Sequence, residues 1–468
     1  MRRLPTILTS AALFALPIAA QGSVRPLPPA KQAPTLVVFI TVDQMRPDYL
    51  DRFAPQLTGG LGRLLRGGAV FTNAMLDYAT TETAPGHATG MSGRFPRSTG
   101  IVSNSMGVYD PPTGTFTTST YYAAALPAWL DAFNARRLPA QQAGHRWTLL
   151  LPDSAYAEPD SVVYENFGND FTFPHALPAD SAAAARALPD MPYMDELTLQ
   201  VALTGVKQLN LGTGTWTDVV AVSLSTTDAV GHRYGPQSRE MHDQILRLDR
   251  ALGAFFDSLF TVRDPSRVVI ALTADHAVAP IPEEYVAQEH KPAQRVDLSS
   301  VARRADSALA ARGADPMDFQ FEDGMLYVHR EALARAGVNA DSVISAFRAE
   351  IAAMPGVQRV YARAELARDT LKDPAARRWY HSIPPDYPVE LVVVLRPYSV
   401  FGTYAPAIHG SPYDYDNHVP MLLYGAAVKA GRYDAPTLLV DLAPTLAWIT
   451  ATVPADRVDG TVLWTALK

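Results

Sequence analysis

The 468-residue sequence contains no cysteine. Without thiols the chain forms no disulfide, and it offers neither a cysteine nucleophile nor a thiolate ligand to a metal. Any catalytic metal must therefore bind to carboxylate, imidazole or hydroxyl groups. Positively charged residues are also fewer than negatively charged ones: the chain has 40 lysines and arginines and 47 aspartates and glutamates, which gives a formal net charge of -7. This balance predicts no nucleic-acid-binding surface, whereas a small phosphorylated substrate is compatible with it.

Long apolar runs are missing as well, apart from one near the N-terminus. A basic start precedes an apolar stretch at 4–20 that is interrupted by Pro5 and Pro17 and ends in small residues. The stretch falls short of the roughly 20 uninterrupted apolar residues that a membrane span needs. We interpret residues 1–20 as a secretory signal peptide and expect 21–468 to be periplasmic or secreted, with no membrane span after cleavage.

The composition of the remaining chain is typical of a folded globular protein, with 48% hydrophobic and 19% charged residues. Short apolar runs of the kind found in strands buried on both faces of a parallel sheet recur at 35–42, 219–224, 268–272 and 420–424. Between them, apolar residues three or four positions apart predict helices, most clearly from Met241 to Leu259. This alternation predicts an α/β fold, with a mostly parallel central sheet and helices on both faces.

The part of the chain at about 281–398 has a different pattern. It contains a predicted strand at 325–328, a predicted helix at 340–354 and a second predicted strand at 389–395. We interpret it as a small α/β subdomain, or cap, inserted into one larger catalytic domain that spans 21–468.

The polar residues next to the apolar runs are the candidate site, since ligands bind outside the carboxyl ends of the strands in open α/β sheets. Three aspartates and three histidines occupy such loops: Asp43 after the first run, Asp228 and His232 after the second, Asp275 and His276 after the third, and His409 before the fourth. Each alone is as readily a helix cap or a solvated loop residue. Together they provide two sites rich in nitrogen and oxygen, which suit Zn²⁺.

Thr83 is the candidate nucleophile. It shortly precedes Pro85, a residue favoured in the first turn of a helix, so its hydroxyl is expected at a helix N-terminus, where backbone N–H groups attract anions. A threonine in this position is ordinarily a helix cap. A nearby metal that lowers the pKa of the hydroxyl would make it a nucleophile instead.

Taken together, these segments resemble the alkaline phosphatase superfamily. The resemblance rests on Val42-Asp43-Gln44, Thr83-Ala84-Pro85-Gly86-His87, Asp228 with His232, Ala274-Asp275-His276 and His409-Gly410. It is greatest to the periplasmic alkaline phosphatases with a threonine nucleophile, a branch related to the nucleotide pyrophosphatase/phosphodiesterases, and it covers nearly all of the mature chain.

The resemblance implies two bound zinc ions and a role for each matched residue. One zinc would bind Asp43, Thr83, Asp275 and His276, and the other would bind Asp228, His232 and His409. His418 competes with His409 for the last position, but His409 is preferred because Gly410 follows it, as in the family, whereas His418 precedes a predicted core strand. Asn104 matches an asparagine that donates to a phosphoryl oxygen, and His87 is expected to support the nucleophile helix.

The implied function is two-zinc hydrolysis of phosphate monoesters through a phosphothreonine intermediate on Thr83. The chain nevertheless departs from the family at one place. Monoester-cleaving members carry a Lys-x-Arg that holds the nonbridging phosphate oxygens, and none occurs between Asn104 and Asp228. The segment at 105–110 runs almost directly into that at 113–122, so we expect a deletion of several tens of residues near 106–109.

Two alternatives therefore stay open. A diester carries less charge than a monoester, so the missing cations favour a phosphodiesterase or nucleotide pyrophosphatase. The expected deletion also fits a metal-binding member of the family with impaired catalysis. A sulfatase is disfavoured, because that related group needs a cysteine or serine at the position of Thr83. The physiological substrate and the oligomeric state do not follow from the sequence.

Overall fold

The computed structural model describes residues 33–104, 109–120 and 122–468. The predicted signal peptide lies outside these ranges, as do residues 106–108 of the segment 106–109 near which the deletion is expected. Within the described residues, no helix combines the length and the apolar character needed to cross a membrane.

Strands and helices alternate along most of the described chain. The strands are β1 (Leu36–Val42), β2 (Ala69–Met75), β3 (Tyr109–Asp110), β4 (Thr115–Phe116), β5 (Arg146–Trp147), β6 (His175–Ala176), β7 (Asp218–Leu224), β8 (Val268–Thr273), β9 (Arg295–Val296), β10 (Phe319–Glu322), β11 (Met325–Val328), β12 (Val357–Ala362), β13 (Val389–Leu395), β14 (Val400–Phe401), β15 (His418–Gly425), β16 (Gly431–Tyr433) and β17 (Thr437–Leu438). The α-helices are α1 (Asp48–Arg52), α2 (Gly60–Gly67), α3 (Thr83–Ser92), α4 (Pro96–Thr99), α5 (Ala128–Asn134), α6 (Ser181–Ala187), α7 (Tyr193–Gln208), α8 (Thr226–Tyr234), α9 (Arg239–Val262), α10 (Pro282–Glu289), α11 (Ser299–Ala310), α12 (Arg330–Arg335), α13 (Ala340–Ala352), α14 (Arg363–Asp369), α15 (Pro374–Ser382), α16 (Asp414–Asn417) and α17 (Leu442–Ile449).

A seven-stranded mixed sheet forms the centre of the fold, in the order β16-β2-β15-β8-β1-β7, with β17 also paired to β2. β1 is parallel to β7 and β8, whereas β15 is antiparallel to both β8 and β2. Every residue of β1 and β8 is buried. Because successive side chains of a strand point to opposite faces, both faces of the sheet are covered at these strands. The predicted α/β fold is thus confirmed.

Three details of the predicted sheet are wrong. The run at 420–424 belongs to β15, which is antiparallel to its neighbours β2 and β8. A strand that is buried on both faces is apolar whether it is parallel or antiparallel, so its composition does not reveal its direction. The run at 219–224 belongs to β7 at the edge of the sheet, where Val219 is 55% exposed rather than buried. β2 was not predicted, because the polar residues Thr72 and Asn73 interrupt its apolar run.

The clearest predicted helix is confirmed as α9. The Ser238 hydroxyl caps it by accepting the N–H of Met241 at 3.0 Å, and the apolar positions from Met241 to Leu259 are buried. Further along α9, the buried Asp249 accepts hydrogen bonds from the N–H groups of Gly59 at 2.6 Å and Gly62 at 3.0 Å. These N–H groups lie at the start of α2 and have no partner within that helix, so Asp249 fixes α2 against α9.

A second sheet is antiparallel and has the order β10-β11-β13-β12. The three elements predicted in this part of the chain are confirmed, since β11 and β13 have the predicted bounds and the predicted helix corresponds to α13. Side chains of these elements form two apolar clusters of their own. The boundaries of the inserted subdomain, at about 281–398, remain a prediction.

Helix α15 contacts the segment that leads from β2 to Thr83. Asp77 accepts a hydrogen bond from Arg377 Nη2 at 2.8 Å, and the Ser382 hydroxyl accepts the N–H of Ala79 at 2.8 Å. Although burial raises the pKa of Asp77, its bonds to His381 and Arg377 hold that pKa below its ordinary value. Contacts with a distant part of the sequence therefore position the approach to the candidate nucleophile.

The role of Asp249 can be tested by unfolding. We expect Asp249→Ala to lower the free energy of unfolding by about 2 to 4 kcal/mol, because two hydrogen bonds to a buried carboxylate are lost. Asp257→Ala on the same helix is the matched control, since Asp257 is 70% exposed and its one ion pair among the described residues is with Arg63 at the surface. Urea denaturation followed by circular dichroism would measure both; equal midpoints for the two variants would contradict this role.

Candidate functional site

One edge of the central sheet brings together residues predicted from three separate runs. Val42 at the end of β1 pairs with Leu224 of β7, and the neighbouring Thr41 pairs with Thr273 of β8. The loops that follow these strands therefore leave the sheet side by side. They carry Asp43 after β1, Asp228 and His232 in α8 after β7, and Asp275 and His276 after β8.

Asp43, Asp275 and His276 form the first ligand group, in which one ligand atom of each residue lies within 4.8 Å of the others. His276 Nε2 is 3.3 Å from Asp43 Oδ1. All three residues are buried, and among the described residues Asp43 Oδ1, Asp275 Oδ2 and His276 Nε2 make no well-aligned hydrogen bond, although each has a nearby atom of opposite charge. Since it is unfavourable to bury polar atoms without partners, these atoms indicate a position for a cation.

Asp228, His232 and His409 form the second ligand group. The Nε2 atoms of the two histidines are 3.2 Å apart, and Asp228 Oδ1 lies 3.3 Å from His232 Nε2 and 3.8 Å from His409 Nε2. Asp228 and His232 meet because they are four residues apart on α8. His276 also lies within 4.8 Å of ligand atoms of Asp228 and His409, so the two ligand groups are adjacent.

Main-chain carbonyls orient the three histidines. The pairs are His232 Nδ1 with Ala407 O at 2.7 Å, His409 Nδ1 with Thr81 O at 2.7 Å, and His276 Nδ1 with Ala277 O at 3.1 Å. A carbonyl only accepts hydrogen bonds, so each Nδ1 carries a proton and Nε2 is the atom available to a metal. Metal-binding histidines are commonly supported in this way.

The electrostatics of the cluster also favour a cation. Burial raises the pKa of Asp43 well above its ordinary value, and the charges of Asp275 and Asp228 raise it further. Burial likewise holds the pKa of His409 well below its ordinary value, helped by the nearby His276 and His232. Divalent ions would offset the repulsion between the carboxylates, and this set of oxygen and nitrogen donors suits Zn²⁺.

Thr83 is the first residue of α3, as predicted. Gly86 lets this helix approach the first ligand group, because a Cβ at Gly86 would lie 2.3 Å from the main-chain oxygen of Asp275. His87 Nδ1 lies 2.9 Å from Thr83 O and 3.2 Å from Asp275 Oδ2, while His87 Nε2 lies 3.0 Å from Ser223 Oγ. His87 therefore supports the start of α3, as expected, and links it to a candidate metal ligand.

Asn104 lies beside the start of α3. Its Oδ1 accepts the N–H of Ala84 at 2.7 Å, and its Nδ2 donates to Glu82 Oε2 at 3.1 Å. The amide expected to donate to a phosphoryl oxygen is thus bonded to Glu82 in this structure. Burial raises the pKa of Glu82 to about 7, and the negative charges of Asp323 and Asp228 act in the same direction.

Gln44 was not predicted as a functional residue, although it contacts both ligand groups. Its N–H donates to Asp275 Oδ1 at 3.1 Å, and its Nε2 donates to Asp228 Oδ1 at 2.6 Å. Gly231 makes room for it, since a Cβ there would lie 1.8 Å from Gln44 Oε1. Its position directly after Asp43 is the signal that could have revealed it.

His418 lies at the start of β15, where its Nε2 is 3.0 Å from the main-chain oxygen of Thr72 in β2. That contact belongs to the pairing of two strands. The geometry therefore favours His409 over His418 as a ligand.

Positive side chains are missing from the contacts of this cluster. Among the described residues, no lysine or arginine forms a hydrogen bond or an ion pair with the side chains of Asp43, Asn104, Asp228 or Asp275. In these contacts, therefore, no cation from another element replaces the missing Lys-x-Arg.

Comparison with known proteins identifies the family. The sequence pattern of the family described as type I phosphodiesterase / nucleotide pyrophosphatase matches residues 37–365. The chain belongs to this family. The resemblance to the alkaline phosphatase superfamily is thereby confirmed, and the protein is a phosphoric ester hydrolase.

Two curated relatives of this family member align over most of its length. It is 28% identical over 502 residues to the alkaline phosphatase PafA of Elizabethkingia meningoseptica, covering 88% of this chain and 91% of PafA. It is 27% identical over 525 residues to the alkaline phosphatase PhoK of Sphingomonas sp, covering 93% of this chain and 91% of PhoK. Both alignments are longer than the 468 residues of this chain, so both relatives contain residues without a counterpart here. The deletion near 106–109 remains a prediction.

The fold of this family member is similar to the crystal structure of wild-type PafA. The TM-score is 0.84 at 25% sequence identity, and the match covers 93% of this chain and 99% of the PafA chain. An α/β fold with a mixed central sheet is therefore common to both proteins.

The choice between His409 and His418 predicts different metal contents. We expect His409→Ala to bind about one zinc ion fewer per chain than the wild type, because the second ligand group loses one of its three donors. His418→Ala is the matched control and should retain the wild-type zinc content. Both can be measured by elemental analysis after dialysis against limiting chelator. Loss of zinc from His418→Ala alone would reverse the assignment.

Proposed function

We propose that this protein is a two-zinc phosphomonoesterase that acts after export, with Thr83 as its nucleophile. The observation that carries the proposal is the position of Thr83 at the start of α3, a helix that packs through Gly86 and His87 against Asp275 of the first ligand group. His87 connects the two features, since it contacts both Thr83 O and Asp275 Oδ2. The names of two relatives, both alkaline phosphatases, support the monoesterase activity.

The ligand groups suggest where each zinc ion would bind. The first group, with Thr83, would hold one ion, and the second group of Asp228, His232 and His409 would hold the other. Bound zinc would lower the pKa of a coordinated hydroxyl and offset negative charge on the transferred phosphoryl group and the leaving oxygen. The unpartnered atoms of the first group and the facing Nε2 atoms of the second support this assignment.

The residues of the chain would then carry out two displacements at phosphorus. In the first, Thr83 Oγ gives up its proton and forms a bond to phosphorus while the ester P–O bond breaks, and the leaving oxygen takes up a proton and departs as the alcohol, which leaves a phosphothreonine. In the second, a water oxygen bonds to phosphorus while the Thr83 Oγ–P bond breaks, which releases phosphate. The positive end of the α3 dipole would attract the phosphoryl oxygens, since the N–H of Ala84 is already bonded to Asn104 Oδ1. Asn104 would exchange its bond to Glu82 for one to a phosphoryl oxygen.

Phosphodiesterase activity is the second candidate. It is favoured by the lack of lysine and arginine among the contacts of the described site residues. A monoester dianion has more charge to bind than a diester, and each charged hydrogen bond that is lost is worth about 1.5 to 3 kcal/mol. Monoester turnover is therefore expected to be weaker than in family members that carry Lys-x-Arg, whereas diester turnover should suffer less.

Substitution of Thr83 tests the nucleophile. We expect Thr83→Ala to lower the hydrolysis of an aryl phosphate by three or more orders of magnitude, because no hydroxyl remains to attack phosphorus. Thr83→Ser keeps a hydroxyl and should retain measurable turnover. Zinc should be counted in both variants, since most of the metal ligands are unchanged. Wild-type rates in Thr83→Ala would show that another group attacks phosphorus.

The type of ester can be tested with the wild-type protein. We expect the zinc-loaded protein to hydrolyse both an aryl phosphate and the matching bis-aryl diester, with the rate ratio shifted toward the diester by the missing cations. Steady-state kinetics on this pair gives the ratio directly. A clear preference for the diester would favour the second candidate, and bound zinc without turnover of either ester would indicate impaired catalysis.

A further inference from the structure

A cavity of about 350 Å³ lies beside the second ligand group. His409 forms part of its wall together with Glu82. Phe401 lines it from β14, Tyr404 from the segment after β14, and Asp323 from the turn between β10 and β11. If the proposed function holds, the alcohol portion of the ester lies opposite Thr83, on the side of Asp228, His232 and His409. This cavity is therefore in position to receive the alcohol.

The wall of the cavity carries an excess of negative charge. Glu82, Glu322 and Asp323 all line it, and among the described residues none of the three forms an ion pair with lysine, arginine or histidine. Asp323 is near enough to Glu82 for its charge to act on that carboxylate. The lining thus presents Glu322 and Asp323 without a paired cation, and Glu82, whose pKa is raised by burial to about 7, adds part of a negative charge near neutral pH.

One arginine, Arg303, also lines the cavity, but its hydrogen bond among the described residues is to Ser299 and not to one of the three carboxylates. Arg303 Nη1 donates to Ser299 Oγ at 3.0 Å, and the arginine charge acts on Asp297, another residue of the wall. Arg303 and Asp297 contribute opposite charges to the wall, so Glu82, Glu322 and Asp323 leave its net charge negative.

Aromatic surface completes the lining. Tyr404 is 69% exposed, and the centroid of its ring is 6.0 Å from that of His232 in the second ligand group. Phe401 lines the same cavity. Aromatic faces attract an ammonium group within about 6 Å of the ring centroid, and carboxylates strengthen this attraction. A cavity with both features beside a phosphate-binding site suits a positively charged alcohol.

We propose that this cavity binds the alcohol portion of the substrate and favours alcohols that carry an ammonium group, so that aminoalkyl phosphates are preferred substrates. The inference rests on the proposed function, because it places the ester at the two ligand groups. Alcohols that carry a second phosphate or a carboxylate would be repelled by the same wall. Neutral alcohols would enter without the electrostatic gain.

A pair of substrates with the same shape tests the inference. Phosphocholine and 3,3-dimethylbutyl phosphate differ in the charge of one central atom, and we expect kcat/KM to be about tenfold higher for phosphocholine. Asp323→Asn should lower this ratio severalfold, and asparagine suits the positive φ of 48° at this turn residue. Tyr404→Leu should lower the ratio as well.

Glu331→Gln is the matched control, because Glu331 is an exposed residue of α12 and does not line the cavity. It removes the same charge as Asp323→Asn and should leave the ratio at its wild-type value. A wild-type ratio near one, or a ratio that neither Asp323→Asn nor Tyr404→Leu changes, would overturn the inference. In those cases hydrolysis of the neutral ester would still support the proposed function.

Binding can be measured without turnover in Thr83→Ala. Calorimetric titration of the zinc-loaded variant should show tighter binding of phosphocholine than of 3,3-dimethylbutyl phosphate, and Asp323→Asn in the same background should reduce the difference. If the wild type hydrolyses neither ester but the variant binds phosphocholine more tightly, the proposed function fails and the preference of the cavity stands. Equal affinities for the two esters would contradict the preference.

Discussion

The concentration of three carboxylates, two of them buried, at one edge of the central sheet is the constraint on which the site depends. Burial and the charges of Asp228 and Asp275 raise the pKa of Asp43 well above its ordinary value. The chain itself provides only part of the compensation, through imidazoles and the Gln44 amide. A divalent cation in each ligand group would supply the rest, and the same positive charge would bind and polarise a phosphate ester. The cations that would offset the carboxylate charge in the folded protein are thus the same cations that would bind the substrate.

Close packing holds the ligands in place. Gly86 lets α3 lie against Asp275, and Gly231 lets Gln44 reach Asp228, because a Cβ at either position would overlap its neighbour. Main-chain carbonyls fix the ring orientation of the histidines, so the lone pairs of Nε2 face one another. Since each of these contacts joins loops that follow different strands, the arrangement exists only when the whole sheet edge has formed.

The sequence predicted the parts of this arrangement that depend on local patterns. Buried runs identify β1 and β8, and the polar residues after them identify candidate ligands, because strand ends in parallel sheets share an edge. Features that depend on distant neighbours were missed or wrong. The composition of β15 does not show that it is antiparallel. Strand β2 was not predicted because the polar residues Thr72 and Asn73 interrupt its apolar run. The dual contact of Gln44 follows from a glycine that lies 187 positions later in the chain.

Substrate selection depends on parts of the molecule that are separate from the sheet edge. With no lysine or arginine among the contacts of the described site residues, the phosphoryl oxygens offer little basis for discrimination between esters. The opposite side of the site is built by the turn before β11 and the segment after β14, and it has both charge and aromatic surface. Glu82 belongs to both sides, because it precedes Thr83, bonds to Asn104 and lines the cavity. Recognition in this chain would therefore rest on the alcohol rather than on the phosphate.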